Sequence, residues 1–159
     1  MKPQELLEDD TLQFLADNGL EALSANIWSW LPGSYPIWHI DQQKPNDPIV
    51  AINFLLEGDA GRTGWIGFDK VRRLTEDSVD PEYGTPDQRF ISLHMPDFSS
   101  SIRMGVPMMI RTDIPHKVSR DKNSSIRWTA RIFLRKIGEN APIQWDEAER
   151  ILGKYKLSS

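Results

Sequence analysis

His39 and Asp41 stand two positions apart in "SYPIWHID" (34–41), a segment that otherwise reads as a buried strand. Residues i and i+2 of a strand face the same side. An imidazole and a carboxylate therefore project together, with Tyr35 and Ile37, while Trp38 and Ile40 take the opposite face. A nitrogen and an oxygen donor a few ångströms apart on one face can share a metal ion. The same pair also suits the polar end of an ordinary strand, because a histidine and an acid at this spacing arise by chance in many chains.

A metal ion needs at least one more ligand, and the chain has three histidines and no cysteine. His94 lies inside a strand candidate, "FISLHM"; His116 follows Pro115 in "DIPHKVSR", where a strand ends. Either one, added to His39 and Asp41, supplies three corners of an octahedron and leaves the others open. A set of His39, His94 and His116 would leave Asp41 idle. In "SIRWTARIF", Arg127, Thr129 and Arg131 share one strand face, and Trp128, Ala130 and Ile132 the other. The polar face is either wet or turned inward. Turned inward, Arg127 and Thr129 make a donor pair for a carboxylate, the guanidinium as a fork and the hydroxyl as a further donor. Arg131 competes for that role, pairs with an acid, or lines the pocket. Asn53 interrupts the apolar run "IVAINFLLEG", in parity with Ile49, Ala51 and Leu55. A buried amide must be hydrogen-bonded, either to a bound small molecule or within the protein.

The elements that must position these groups are set by periodicity. Leucines and Phe14 recur at helical spacing over residues 3–23, with a break at Asn18-Gly19, which predicts two short N-terminal helices within 1–27. From Trp28 onward the pattern changes to short apolar segments separated by turn residues: "YPIWHI", "IVAINFLLEG", "TGWIGF", "FISLHM", "VPMMIRT" and "SIRWTARIFLRK". Residues 69–89 are charged, carry two prolines and read as a loop or a substrate lid. A closing helix is expected over 145–156, with Trp145, Ile151 and Leu152 docked on the body. Trp38, Trp65, Met108 and Met109 read as core. Helices, then six to eight strands, then one helix favour a sandwich or barrel over alternating βαβ units.

The 159 residues suit a single domain spanning 1–159, and 39% hydrophobic residues with six Trp suffice for a core. Lack of cysteine removes disulfides, thiolate zinc sites and cysteine nucleophiles, so any metal relies on His, Asp and Glu. A net charge of −4 with no basic run gives no footprint for nucleic acid. The acidic start and the absence of a long apolar run predict a cytoplasmic protein without a membrane segment.

"HID" at 39–41, "PHKV" with His116, and Arg127 eleven residues later resemble the HxD…H…R pattern of Fe(II)/2-oxoglutarate-dependent oxygenases. "RWT" at 127–129 resembles the R-x-S/T carboxylate-anchoring element of part of that superfamily. "WHID", "AINFLL", "TGWIGF" and "IRTDIPHKV" are similar to its small aspartyl/asparaginyl hydroxylase-like and phage-type members, so the likeness spans about residues 35–135. The resemblance implies a mainly β fold, a double-stranded β-helix (a jelly-roll, cupin-like barrel) over 34–136, with N-terminal helices and one C-terminal helix. It implies Fe(II) held by His39, Asp41 and His116, and 2-oxoglutarate held by Arg127 and Thr129, with Asn53 a further contact. The implied activity is a dioxygenase, a hydroxylase acting on a small-molecule or peptide substrate. A cupin-like module that holds a metal or small acid without catalysis is the alternative.

Overall fold

A computed structural model describes residues 2–31, 38–41, 44, 46–58, 61–73, 89–92, 100–103, 106–119 and 125–155. The chain is mainly β, with two antiparallel sheets and few helices. After a 3-10 turn at Pro3–Glu5 comes α1 (Asp9–Asp17), which buries Leu15. The helix stops at the Asn18-Gly19 break: Gly19 takes a φ of 71°, a left-handed conformation that costs glycine nothing.

The expected second helix within 1–27 is absent. Residues from Leu20 onward instead form β1 (Leu20–Trp30), paired antiparallel along its length with the last strand. The leucine spacing is helical, but the ladder to a neighbouring strand and the aromatic, β-branched end at Ile27, Trp28 and Trp30 outweigh it. The β core accordingly begins at residue 20 rather than 34.

The remaining strands are β2 (Trp38–His39), β3 (Val50–Glu57), β4 (Arg62–Trp65), β5 (Val71–Arg73), β6 (Arg89–Ser92), β7 (Ser100–Arg103), β8 (Met108–Arg111), β9 (His116–Ser119) and β10 (Arg127–Lys136), before α2 (Trp145–Leu152). The segment read as a loop over 69–89 thus contains β5 and meets β6, two strands that pair with each other. Its residues 74–88 lie outside the described residues, as do Tyr35, Ile37 and His94. β7, "SSIR", carries too little apolar patterning to be read from sequence, and its pairing with β4 defines it. α2 ends at Leu152 and a 3-10 turn, Gly153–Tyr155, continues it.

Among the described residues, one sheet has the order β1-β10-β3-β8 and the other β5-β6-β2-β9-β4-β7. The pairs are nested: β4 with β7, β3 with β8, β2 with β9, β1 with β10. The chain passes from one sheet to the other between β1 and β2, β2 and β3, β3 and β4, and again at each step from β7 to β10.

α1 and α2 cover the outer face of the four-stranded sheet, where Leu15, Ala148 and Leu152 pack with Leu20, Ala25, Val50, Ile52, Ile132 and Leu134. Trp145 and Ile151 join this cluster, as expected. The opposite face turns inward, and Ala51, Met108 and Ile110 meet Trp65 and Phe133 there. Strand parity then puts Asn53, Arg127, Thr129 and Arg131 on the inward face. On the other sheet Trp38, with Ile40, packs against Ile66 and Val71, leaving His39 to face the opposite way.

Candidate metal centre

The centre is built where the inward faces of the two sheets meet. β2 and β9 set His39 and His116 directly opposite each other in register, with ring centroids 4.5 Å apart. Asp41 lies just past the end of β2, and its backbone N–H donates to the Thr112 carbonyl at 2.9 Å. Thr112 is itself pinned, its N–H to the Ile49 carbonyl at 3.0 Å and its hydroxyl to the Pro48 carbonyl at 3.3 Å. The turn that carries Asp41 is therefore tied to the segment leading into His116. The Asp41 carboxylate comes within 3.5 Å of His39 Nε2 through Oδ1 and within 3.8 Å of His116 Nε2 through Oδ2.

One donor atom from each of His39, Asp41 and His116 can be chosen so that all lie within 4.8 Å of one another. These three residues therefore form a group that can hold a metal ion. Bonds of roughly 2.0–2.2 Å place neighbouring donors about 3 Å apart around one ion, so a small inward movement of the side chains completes the site. The chemistry of the set, two imidazoles and one carboxylate, suits a divalent first-row metal.

His116 is prepared for that role. Its Nδ1 lies 3.0 Å from the Ile114 carbonyl oxygen. A carbonyl can only accept, so Nδ1 carries the proton and Nε2 presents a lone pair. Nε2 is buried and has no hydrogen-bond partner among the described residues. Burial, and then the neighbouring His39, push the His116 pKa down to about 4 against the opposing pull of Asp41 and the Ile114 carbonyl, so the ring is neutral at pH 7. For Asp41, burial alone would raise the pKa, but Arg131, His116 and His39 outweigh it and hold the carboxyl below its ordinary value.

The three residues expected from the sequence resemblance to contact 2-oxoglutarate lie on the inward face of β10 and β3. Arg127 is 1% exposed and Thr129 5%. The Thr129 hydroxyl is buried and makes no hydrogen bond among the described residues. Arg127 is not an isolated charge, yet its Nε and Nη1 atoms are buried and make no hydrogen bond among those residues. Gly58 permits the local backbone approach. At its φ of 91°, an added Cβ would fall 2.2 Å from the Ile126 carbonyl oxygen and 2.9 Å from Arg127 Cα. Asn53 is buried and accepts from Arg131 Nε at 3.0 Å, so its carbonyl oxygen is engaged within the protein. Arg131 also donates through Nη1 to Asp41 Oδ2. The pairing of Arg131 with an acid was one of the roles its sequence position allowed; that the acid is Asp41 was not legible.

Among known proteins the chain matches no family model, no curated protein and no solved structure. No superfamily is thereby assigned, and the case for function rests on the site. The Ile114 carbonyl, which sets the tautomer of His116, leaves no trace in residue type, because any residue supplies a backbone acceptor. Trp38 is core, as read, and Trp65 is half-buried with its indole N–H donating to the Arg111 carbonyl at 3.0 Å. No helix among the described residues is long and apolar enough to cross a membrane.

Proposed function

We propose that the protein is an Fe(II)- and 2-oxoglutarate-dependent oxygenase, a hydroxylase of a small-molecule or peptide substrate, built on a double-stranded β-helix. The nested strand pairing and the repeated passage of the chain between two sheets support this fold, because a long antiparallel ribbon wound into a jelly roll has that order. β5 and β6 are then an excursion that extends one sheet.

The observation that carries the reading is His116 Nε2: a proton-free nitrogen, buried without a hydrogen-bond partner among the described residues, facing Asp41 and opposite His39. Leaving a polar atom so placed costs roughly 1–3 kcal/mol, and a metal ion is the partner that would also engage both neighbours. His39, Asp41 and His116 would hold the ion by three donors and leave further positions for small molecules. When bound, Fe(II) and 2-oxoglutarate supply the oxidising chemistry, with dioxygen consumed and succinate and carbon dioxide released. The chain's own part is to bind, orient and exclude water. Thr129 offers its buried hydroxyl, and Arg127 its guanidinium, to the distal carboxylate of 2-oxoglutarate. Ile114 keeps the His116 proton on Nδ1, away from the metal-facing nitrogen.

The test is an anaerobic titration of the full chain with Fe(II) and then 2-oxoglutarate, followed by admission of air. We expect a weak visible metal-to-ligand charge-transfer band that saturates with 2-oxoglutarate, then succinate release. Fe(II) binding without that band at saturating 2-oxoglutarate would leave a metal-binding module and end the oxygenase reading.

A further inference from the structure

Arg127 and Arg131 share the inward face of β10, and Arg131 reaches a metal-binding side chain on the other sheet. We propose that Arg131 is a positioning residue of the metal centre. It holds Asp41 by Oδ2 and so presents Oδ1 to the ion together with His39 and His116, and Asn53 in turn holds Arg131. The inference rests on the reading of His39, Asp41 and His116 as metal ligands.

The geometry is a relay across the molecule. Arg131 on β10 and Asn53 on β3 are directly opposite in register, and Arg131 Nε donates to Asn53 Oδ1 at 3.0 Å. Arg131 Nη1 crosses to the other sheet and donates to Asp41 Oδ2. The other carboxylate oxygen, Oδ1, is left toward His39, 3.5 Å from Nε2, while Oδ2, which Arg131 holds, is the oxygen 3.8 Å from His116 Nε2. A carboxylate at the end of a two-residue strand has rotational freedom about χ1 and χ2, and one fixed oxygen removes most of it. Side chains that orient a ligating carboxylate in this way are integral to metal affinity.

The same geometry separates the two arginines. The guanidinium of Arg131 spends donors on two acceptors facing different ways, one on each sheet. Turning to grip a diacid would break both bonds and strand a half-buried carboxylate. Arg127 stands four residues earlier on the same strand face, beside Thr129, whose buried hydroxyl makes no hydrogen bond among the described residues. The two arginines therefore divide the labour: Arg127 for the dianion, Arg131 for the ligand.

Electrostatics gives the test a sign. The Arg131 cation repels a divalent ion, so if it were only a neighbouring charge its removal would tighten metal binding. If it positions Asp41, its removal weakens binding despite the relief of repulsion. Co(II) serves as the probe, titrated into the metal-free full chain and followed by calorimetry and by its visible absorption, which reports ligand number and geometry. We expect Arg131→Met to weaken Co(II) binding roughly 10–100-fold and to alter the Co(II) spectrum. Arg131→Lys should recover part of the affinity, because an ammonium can still reach one oxygen. Asn53→Val should shift affinity in the same direction by a smaller factor. Arg131→Met with wild-type or tighter affinity and an unchanged spectrum overturns the inference. Should that variant fail to fold, as judged by circular dichroism, wild-type affinity in both Arg131→Lys and Asn53→Val overturns it equally. The two levels of failure are distinct. Wild-type protein that binds no Co(II), or binds it as well after His116→Ala, sinks the metal centre itself; loss in His116→Ala alone, with the Arg131 and Asn53 variants unaffected, sinks only the relay.

Discussion

His39 and His116 are register partners across the β2–β9 ladder, and this one pairing decides whether two histidines distant in sequence act together. Directly opposed residues in an antiparallel pair bring their Cβ atoms within about 4.5–5.5 Å on the same face. A shift of one residue in either strand would turn one imidazole to the outer surface. The ladder is thus part of the site. We predict that a divalent metal at about 100 times its Kd stabilises the protein by about 2.7 kcal/mol, a rise in Tm of roughly 5–10 °C for a chain of this size. Excess EDTA should reverse the rise, and His39→Ala or His116→Ala should abolish it. A scanning-fluorimetry series with Co(II) or Mn(II) reads this directly; an undiminished rise in either variant removes that histidine from the ligand set.

Thr129 supports a prediction with two signs. Its hydroxyl is buried without a partner among the described residues, and an unsatisfied buried polar group costs about 1–3 kcal/mol. Thr129→Val keeps the shape and removes the group. The ligand-free variant should therefore be more stable than wild type by about 1 kcal/mol or more, seen as a higher urea midpoint with unchanged m-value. Affinity for 2-oxoglutarate should fall by roughly 10–150-fold, the loss of one hydrogen bond to a charged carboxylate. A variant that is both less stable and equally avid for 2-oxoglutarate would mean the hydroxyl serves the fold, not the co-substrate.

The chemistry-bearing residues were legible in the sequence because the chain has only three histidines, and because period-two parity sorts the polar residues of a strand onto one face or the other. Parity placed Arg127, Thr129 and Arg131 together, and Asn53 with Ala51, without knowledge of which strands are neighbours. What parity cannot supply is pairing. That β10 lies between β1 and β3, that Asn53 faces Arg131, and that Arg131 reaches Asp41 all depend on contacts between residues far apart in the chain. The helical reading of 20–27 failed for the same cause: the Leu20 and Leu23 spacing is a local signal, whereas the partner that makes a strand of it, β10, lies about a hundred residues on. β7 is hidden because Ser100 and Ser101 dilute the apolar pattern that marks a strand.

Gly58 offers a test of the Arg127 assignment that touches no proposed ligand. Its φ of 91° disfavours any residue with a Cβ, and that atom would collide with the Ile126 carbonyl and the Arg127 backbone. A left-handed backbone alone costs a non-glycine residue about 1–2 kcal/mol, and relieving the collision adds to it. Gly58→Ala should lower Tm by roughly 4–8 °C and displace Ile126 and Arg127. Because the displacement falls on Arg127 and not on His39, Asp41 or His116, 2-oxoglutarate affinity should drop while Co(II) affinity holds. Calorimetry of both ligands separates these outcomes, and equal losses in both would show that the strain spreads through the whole inward face.

Acid should weaken the metal-free fold in a defined window. His116 titrates near 6.5 in an unfolded chain and is pushed down to about 4 in the native one, by burial first and then by His39. Between those values the unfolded state binds a proton at this ring that the native state does not, so stability rises with pH there. The contribution is therefore complete above pH 6.5 and is lost progressively as pH falls toward 4. Asp41, held below its ordinary value, adds a loss in the same direction at lower pH. For His116 the gap corresponds to about 3 kcal/mol. Urea unfolding in EDTA across roughly pH 4 to 7.5 should show this slope, and His116→Gln, which removes the titrating ring, should flatten it. Identical pH dependence in the two proteins would mean that His116 is protonated in the native state or that its ring is open to water, and a ring of that kind could not serve as the buried, lone-pair-bearing ligand that the centre requires.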